Sequence, residues 1–227
     1  MGTNHFGFGT GVVMCPIGFE TTAGVAQVDG LLRDAMTDRL GDRLIRHRAD
    51  HAREHSVELQ MPWIRHLLGP VPVLGFLVHD PTHCDGASYD GEGVGFDEFL
   101  TALRDCLEAQ PARTLVVCGA DLSHIGRAFG DDFDLEKSRL KQVAEHDQRH
   151  LDLLCTGQVD PFLASIRKLE NPTRWCTVGG MAALWKLLPG CATTLLRYGQ
   201  AVDSETGGSC CVSSAAIAFH QSGECSS

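Results

Sequence analysis

Val116-Val-Cys118-Gly119-Ala120-Asp121-Leu-Ser123-His124-Ile-Gly126 is a short apolar run that ends in three polar groups within four positions. The β-branched run from Thr114 to Cys118 predicts a strand buried on both faces. Gly119 and Ala120 then let the backbone turn sharply and approach a neighbour closely. Open α/β sheets place their ligand crevice at the carboxyl end of such a strand. An aspartate three residues before a histidine can orient the imidazole and stabilise its charged form, which makes Asp121 and His124 candidate catalytic residues. The alternative is that Asp121 and Ser123 cap the next turn, with His124 satisfied in the core.

The 227 residues suffice for one large α/β domain or two small ones. A hydrophobic fraction of 43% with 21% charged residues is that of a globular protein, and a net charge of -10 disfavours nucleic acid and anionic membranes as partners. No apolar run reaches the ~18 residues of a membrane span. The opening Met-Gly-Thr-Asn-His-Phe has neither the basic nor the apolar region of a secretory signal, so the expected location is cytoplasmic. None of the ten cysteines forms a C-x-x-C pair, which argues against zinc-finger and thioredoxin-like chemistry.

Residues 2–9 read as a glycine-rich loop carrying His5. Val12–Cys15 predicts a short strand, and Thr22–Arg46 a helix broken at Gly41. Val71–Val78 reads as a second buried strand, followed by a loop over 81–95 and an amphipathic helix over Phe96–Ala109. Leu135–Leu154 predicts a long helix. His146 and His150 share one of its faces with Glu136, Lys137, Lys141, Glu145 and Arg149, which reads as solvated. Pro161–Leu169 predicts another helix, and Cys176 opens a helix running to Leu188. A thiol at a helix N-terminus has its thiolate favoured, which marks Cys176 among the cysteines. Thr193–Tyr198 and Cys210–Phe219 read as strands joined by a polar turn, and 221–227 as a tail. One domain over 1–227 is the economical reading.

The stretch Asp50-His51-Ala-Arg53-Glu54-His55-Ser56-Val-Glu58-Leu-Gln60-Met-Pro62 is dense in groups that bind metals or protons. His51 and His55, four residues apart, match a metal-binding pair, and His-x-x-Glu-His matches an inverted zinc-protease motif. That motif needs a later acidic ligand and a more helical context. The competing reading makes Glu54 and Glu58 a solvated face, with His55 packed before Pro62.

Four patches, taken in order, carry a family resemblance: Gly-Thr-Asn-His5, Glu54-His55-Ser-Val-Glu58-Leu-Gln60-Met-Pro62, Asp121-Leu-Ser-His124, and Arg174-Trp-Cys176 with the terminal serine-rich strand. The chain resembles the Memo family, whose microbial members are often called AmmeMemoRadiSam system protein B. The resemblance runs from Gly2 to about Phe219. It implies a central mixed sheet flanked by helices, as in class III extradiol ring-cleaving dioxygenases. It also implies one iron or copper ion per chain, held by two histidines and a cysteine. His5 matches one family histidine and Cys176 the cysteine, while Asp121 and His124 match the acid/base pair. A thiolate in place of a carboxylate is softer and suits copper as well as iron. The family's first histidine lies in a Pro-His-Ala-Gly motif with no counterpart before His5, and His55 is the internal substitute.

Three functions follow as expectations. The first is a metal-dependent oxidoreductase in which His124, oriented by Asp121, moves a proton at a bound small molecule. The second is a non-catalytic metal-handling or peptide-binding module, with Arg53 and Arg174 as phosphate contacts. The third is a thiol enzyme using Cys176 as nucleophile and His124 as base. The family's system name also implies a radical-SAM partner protein.

Overall fold

Backbone pairing in the N-terminal part converges on β4 (Gly75–Leu77), whose three residues are all buried. The structure, a computed structural model, describes residues 1–5, 10–203 and 210–220. Within the span read as one domain, contacts cluster into two compact units. The first comprises Met1–Ala120 and Thr177–Leu187, and the second Asp121–Cys176 and Leu188–Ser227.

In the first unit β1 (Val13–Cys15) pairs antiparallel with β4, with Val13 opposite Leu77. Gly2 bridges Leu77 in parallel. Its N–H donates to the Phe76 carbonyl at 2.9 Å, and its carbonyl accepts from Val78 N–H at 2.8 Å. This parallel contact is an isolated bridge, and the regularly paired strands form small antiparallel sheets among helices, a mixed α/β architecture. A hairpin of β2 (Phe19–Thr21) and β3 (Gly24–Ala26) stands where the helix from Thr22 was expected to begin. Val13, Cys15, Phe19, Val57, Met61 and Leu77 form the core beneath these strands.

Helix α1 (Gly30–Leu40) starts where the Asp29 side chain accepts a hydrogen bond from Leu32 N–H, and stops at Gly41, which has a φ of 66°. The Asp29 cap satisfies one orphan donor, and the positive φ is open to glycine without strain. Helix α2 (Met61–Leu68) carries Pro62 in its first turn, where the missing N–H costs nothing. Helix α3 (Phe96–Ala109) has the predicted bounds and buries Phe96, Phe99, Leu100, Leu103 and Cys106, packing on α1 and on α6 (Val178–Leu187).

Thr114–Cys118 carries no regular strand pairing, and Leu115 is 66% exposed. The Met1 ammonium donates to the Val117 carbonyl at 2.6 Å, and Gly119 N–H donates to the Met1 carbonyl at 2.9 Å. The run is exposed at Thr114 and Leu115 and half-buried from Val116 to Cys118, not buried on both faces as predicted. The close approach at Gly119 is as read. A Cβ there would collide with the Ser56 carbonyl and meet Gln60 Nε2 at 2.7 Å.

The second unit joins a sheet to two helices. β5 (His124–Ile125), β7 (Cys210–His220) and β6 (Ala192–Asp203) lie in that order, all antiparallel. α4 (Lys137–Cys155) packs against α5 (Val159–Leu169) and β6. On α4 the buried positions are Val143, His146, Asp147, His150, Leu151 and Leu154, a stripe at helical spacing. His146 and His150 are therefore core residues and not the solvated face read from the sequence. The charges around them are what face water. The His150 ring edge meets Phe162 at 5.9 Å, and its Nε2 lies 3.1 Å from Ser165 Oγ. The loop residues 6–9, the turn 204–209 and the tail 221–227 lie outside the described residues.

Burial pushes the pKa of His146 and His150 below that of an ordinary histidine. The unfolded chain binds protons at these rings near pH 6.5, before the folded chain does, so stability falls as pH drops below about 6.5. Denaturant unfolding between pH 7.5 and 5 is expected to show this fall, and His150→Gln to flatten it.

Candidate functional site

Gly2–His5 runs against the loop at 54–57 because both are tied by short polar side chains. Ser56 Oγ accepts from Thr3 N–H and donates to the Thr3 carbonyl, each at 3.0 Å, and Asn4 Nδ2 donates to Asp50 Oδ2 at 2.6 Å. A Cβ at Gly2 would collide with Ser56 Oγ, so glycine is what permits this contact. His5 then falls beside Glu54, which is only 3% exposed. Glu54 Oε2 accepts from His5 N–H at 2.7 Å. Its Oε1 lies 3.0 Å from His5 Nδ1 and accepts from His55 N–H at 2.8 Å and Ser56 N–H at 3.0 Å. The sequence reading that put Glu54 on a solvated face is overturned. Burial alone would raise its pKa, but these donors outweigh burial and bring it down to about 2.

The carboxylate fixes the His5 proton on Nδ1 and so makes Nε2 the lone-pair nitrogen, a common arrangement behind metal-binding histidines. The His5 and His55 rings stack with centroids 5.1 Å apart and planes 13° from parallel. His5, Glu54 and His55 each offer a ligand atom, all within 4.8 Å of one another. Two imidazoles and a carboxylate suit a divalent transition metal. Arg48–Ala52 and Glu58–Gln60 are 3-10 turns, so the stretch is not the helix that an inverted zinc-protease motif requires. His51 instead points its Nε2 at the Val13 carbonyl, 3.2 Å away.

In the second unit, the segment leading into β5 and the loop over 171–176 bring Asp121, His124 and Cys176 together. His124 N–H donates to the Thr173 carbonyl at 2.7 Å, and Arg174 Nη1 donates to the His124 carbonyl at 3.0 Å. Arg174 also grips Asp131, at 2.6 Å and 3.2 Å. Its guanidinium thus acts as a clamp between loops, which is a different use from the phosphate contact expected of it. Asn171 closes the 171–176 loop by donating to the Trp175 carbonyl and accepting from Trp175 N–H, both at 2.8 Å. Helix α6 begins at Val178, so Cys176 precedes the helix that it was expected to open.

His124 Nδ1 lies 3.0 Å from the Leu122 carbonyl and 3.1 Å from the Arg174 carbonyl, which places its proton there. Nε2 then faces Asp121 Oδ2 at 3.6 Å. Burial disfavours a charged ring, but Asp121, the Cys176 sulfur and the Arg174 carbonyl together raise the His124 pKa above the ordinary value. Cys176 Sγ lies 3.7 Å from the Asp121 carbonyl. Ligand atoms of Asp121, His124 and Cys176 all fall within 4.8 Å. A thiolate, an imidazole and a carboxylate make a softer donor set than the first cluster, compatible with copper as well as iron.

Each predicted site residue therefore stands in one of two donor clusters, His5 and His55 in the first unit, and Asp121, His124 and Cys176 in the second. The reading named Glu54 and Ser123 without giving either a place in the site, and it missed Asp147 and Trp175 beneath the second cluster. The signal for Asp147 was its place on the buried stripe of α4.

The chain is a mixed α/β protein with a cluster of polar donor side chains in each of its two units. The model of the Memo-like protein family matches residues 1–218, and the chain belongs to that family. A MEMO1 family protein of Aquifex aeolicus (strain VF5) is 24% identical over 175 residues, covering 77% of this chain. The chain spans about 42% of that relative's length. No helix among the described residues is long and apolar enough to cross a membrane.

Glu54→Ala is expected to leave the N–H groups of His5, His55 and Ser56 without their acceptor, at a cost of about 2–4 kcal/mol in urea unfolding. Glu54→Gln, which keeps one acceptor oxygen, is expected to cost less. In the wild type this contribution is present above about pH 4.5, the unfolded value, and is lost as pH falls toward 2.

Proposed function

We propose that this Memo-family protein is a mononuclear non-heme metal oxidoreductase, related in chemistry to the extradiol dioxygenases and using iron or copper. The observation that carries the reading is the gathering of Asp121, His124 and Cys176 with their ligand atoms within 4.8 Å. A thiol, an imidazole and a carboxylate converge there from two segments that are cross-tied by hydrogen bonds. These donors fit a transition metal, with Cys176 as the ligand offered by this group, while His5, with His55 beside it, offers its nitrogen in the separate group with Glu54. When bound, iron or copper supplies the one-electron and oxygen chemistry that side chains lack.

The residues themselves hold and move protons. Asp121 orients His124 and favours its charged form, so His124 can take a proton from a phenolic hydroxyl and return it later. Its carbonyl partners hold the tautomer, leaving Nε2 as the exchanging atom. Glu54 holds His5 in one tautomer, which lowers the ordering cost of ligation. The reading extends to a small-molecule substrate such as a catechol, a cytoplasmic location and a radical-SAM partner. A metal-handling or peptide-binding module is the second reading, and the Asp131 pairing of Arg174 weakens its phosphate-recognition form.

Metal content after anaerobic purification is the test. About one iron or copper per chain is expected, with a large loss in Cys176→Ala. Oxygen uptake with a catechol panel then separates the readings. Loaded protein that consumes no oxygen is a metal handler, and protein that refuses both metals overturns the proposal.

A further inference from the structure

Asp147 lies at the middle of α4 and is completely buried. Its Oδ1 accepts from Ser123 Oγ at 2.5 Å and from Trp175 Nε1 at 2.7 Å. Its Oδ2 accepts from Ser213 Oγ at 2.6 Å and from Tyr198 OH at 2.8 Å. Ser123 immediately precedes His124, and Trp175 immediately precedes Cys176. One oxygen of one carboxylate therefore holds the residue before each of these two groups.

The two remaining donors anchor the same carboxylate to the sheet. Ser213 on β7 accepts at its Oγ from Ser123 N–H at 2.9 Å, and the Leu122 N–H donates to its carbonyl at 2.8 Å. Trp175 Nε1 also lies 3.0 Å from Ser123 Oγ, and its ring packs on Phe162 and His150. A buried carboxylate is costly unless donors saturate it, and hydrogen bonds to it are stronger than neutral ones. The saturation is complete here, with each oxygen taking two donors. A core helix could be filled more cheaply by an apolar residue. What an apolar residue cannot do is hold Ser123 and Trp175 at one point.

We propose that Asp147 is a positioning residue that sets the spacing of His124 and Cys176 by tying together the segments that carry them. The inference rests on the reading of His124 and Cys176 as site residues. Asp147 touches neither of them, and acts through Ser123 and Trp175.

The test uses the metal-free 227-residue chain, with iodoacetamide labelling resolved by peptide and exposed Cys84 as the internal reference. Asp147→Asn removes the charge and replaces one of the two acceptor oxygens by an amide donor, so one of the two donor pairs loses its acceptor. Trp175→Phe keeps the carboxylate and its other three donors. Both are expected to melt cooperatively, yet to label Cys176 about tenfold faster than wild type while Cys84 is unchanged. With cobalt(II) added, both are expected to lose intensity in the thiolate-to-cobalt absorption band. Cooperative melting with Cys176 labelling within about twofold of wild type in both variants overturns the proposal. If Asp147→Asn does not fold, Trp175→Phe decides by the same criterion. If wild type binds no cobalt, the metal reading fails while the labelling arm still judges Asp147.

Discussion

A carboxylate taken out of water must be surrounded by donors, and each of the two units contains such a case. In the first unit the backbone supplies most of the donors. Glu54 collects the N–H groups of His5, His55 and Ser56, and so converts a loop without helix or strand into a fixed platform. In the second unit side chains supply them, and Asp147 gathers Ser123, Trp175, Tyr198 and Ser213 around one point on a helix. Desolvation penalises an unpaired carboxylate by several kcal/mol, so any rearrangement that opens either shell is opposed. Rigid loops are the consequence, and the candidate site residues stand on those loops.

The two donor clusters differ in chemical character. His5, Glu54 and His55 present nitrogen and oxygen, with the buried carboxylate already engaged by backbone groups. Asp121, His124 and Cys176 present oxygen, nitrogen and sulfur, and Asp121 is half exposed. In the second cluster the charged form of His124 is favoured by its neighbours despite burial. That balance suits a group that exchanges protons. In the first cluster Glu54 is locked as an acceptor, which suits a group that orients.

Backbone conformation contributes where side chains alone would not suffice. Glu170, Asn171 and Arg174 all adopt positive φ, at 56°, 48° and 57°. Non-glycine residues rarely do so without tertiary compensation. Asn171 is compensated by its paired bonds to Trp175, and Arg174 by its fork on Asp131 and the His124 carbonyl. The bend they create carries Trp175 into the core and leaves Cys176 beside Asp121.

The sequence by itself determined the mixed α/β class, the family, and the helices whose apolar spacing is regular, with α3 bounded to the residue. It also pointed to Asp121 and His124 by their spacing after an apolar run, to Cys176 by its place before an apolar helix, and to His5 and His55 through the family resemblance. Tertiary structure alone decided which polar residues went inside. Glu54 and Glu58 look alike in sequence, yet only Glu54 meets the backbone donors that make burial tolerable. His146, Asp147 and His150 look like a solvated face until their spacing is seen to continue the stripe of Val143, Leu151 and Leu154. Periodicity says which face is buried. Whether a polar group can live there depends on donors contributed from distant parts of the chain, as Ser213 and Tyr198 do for Asp147.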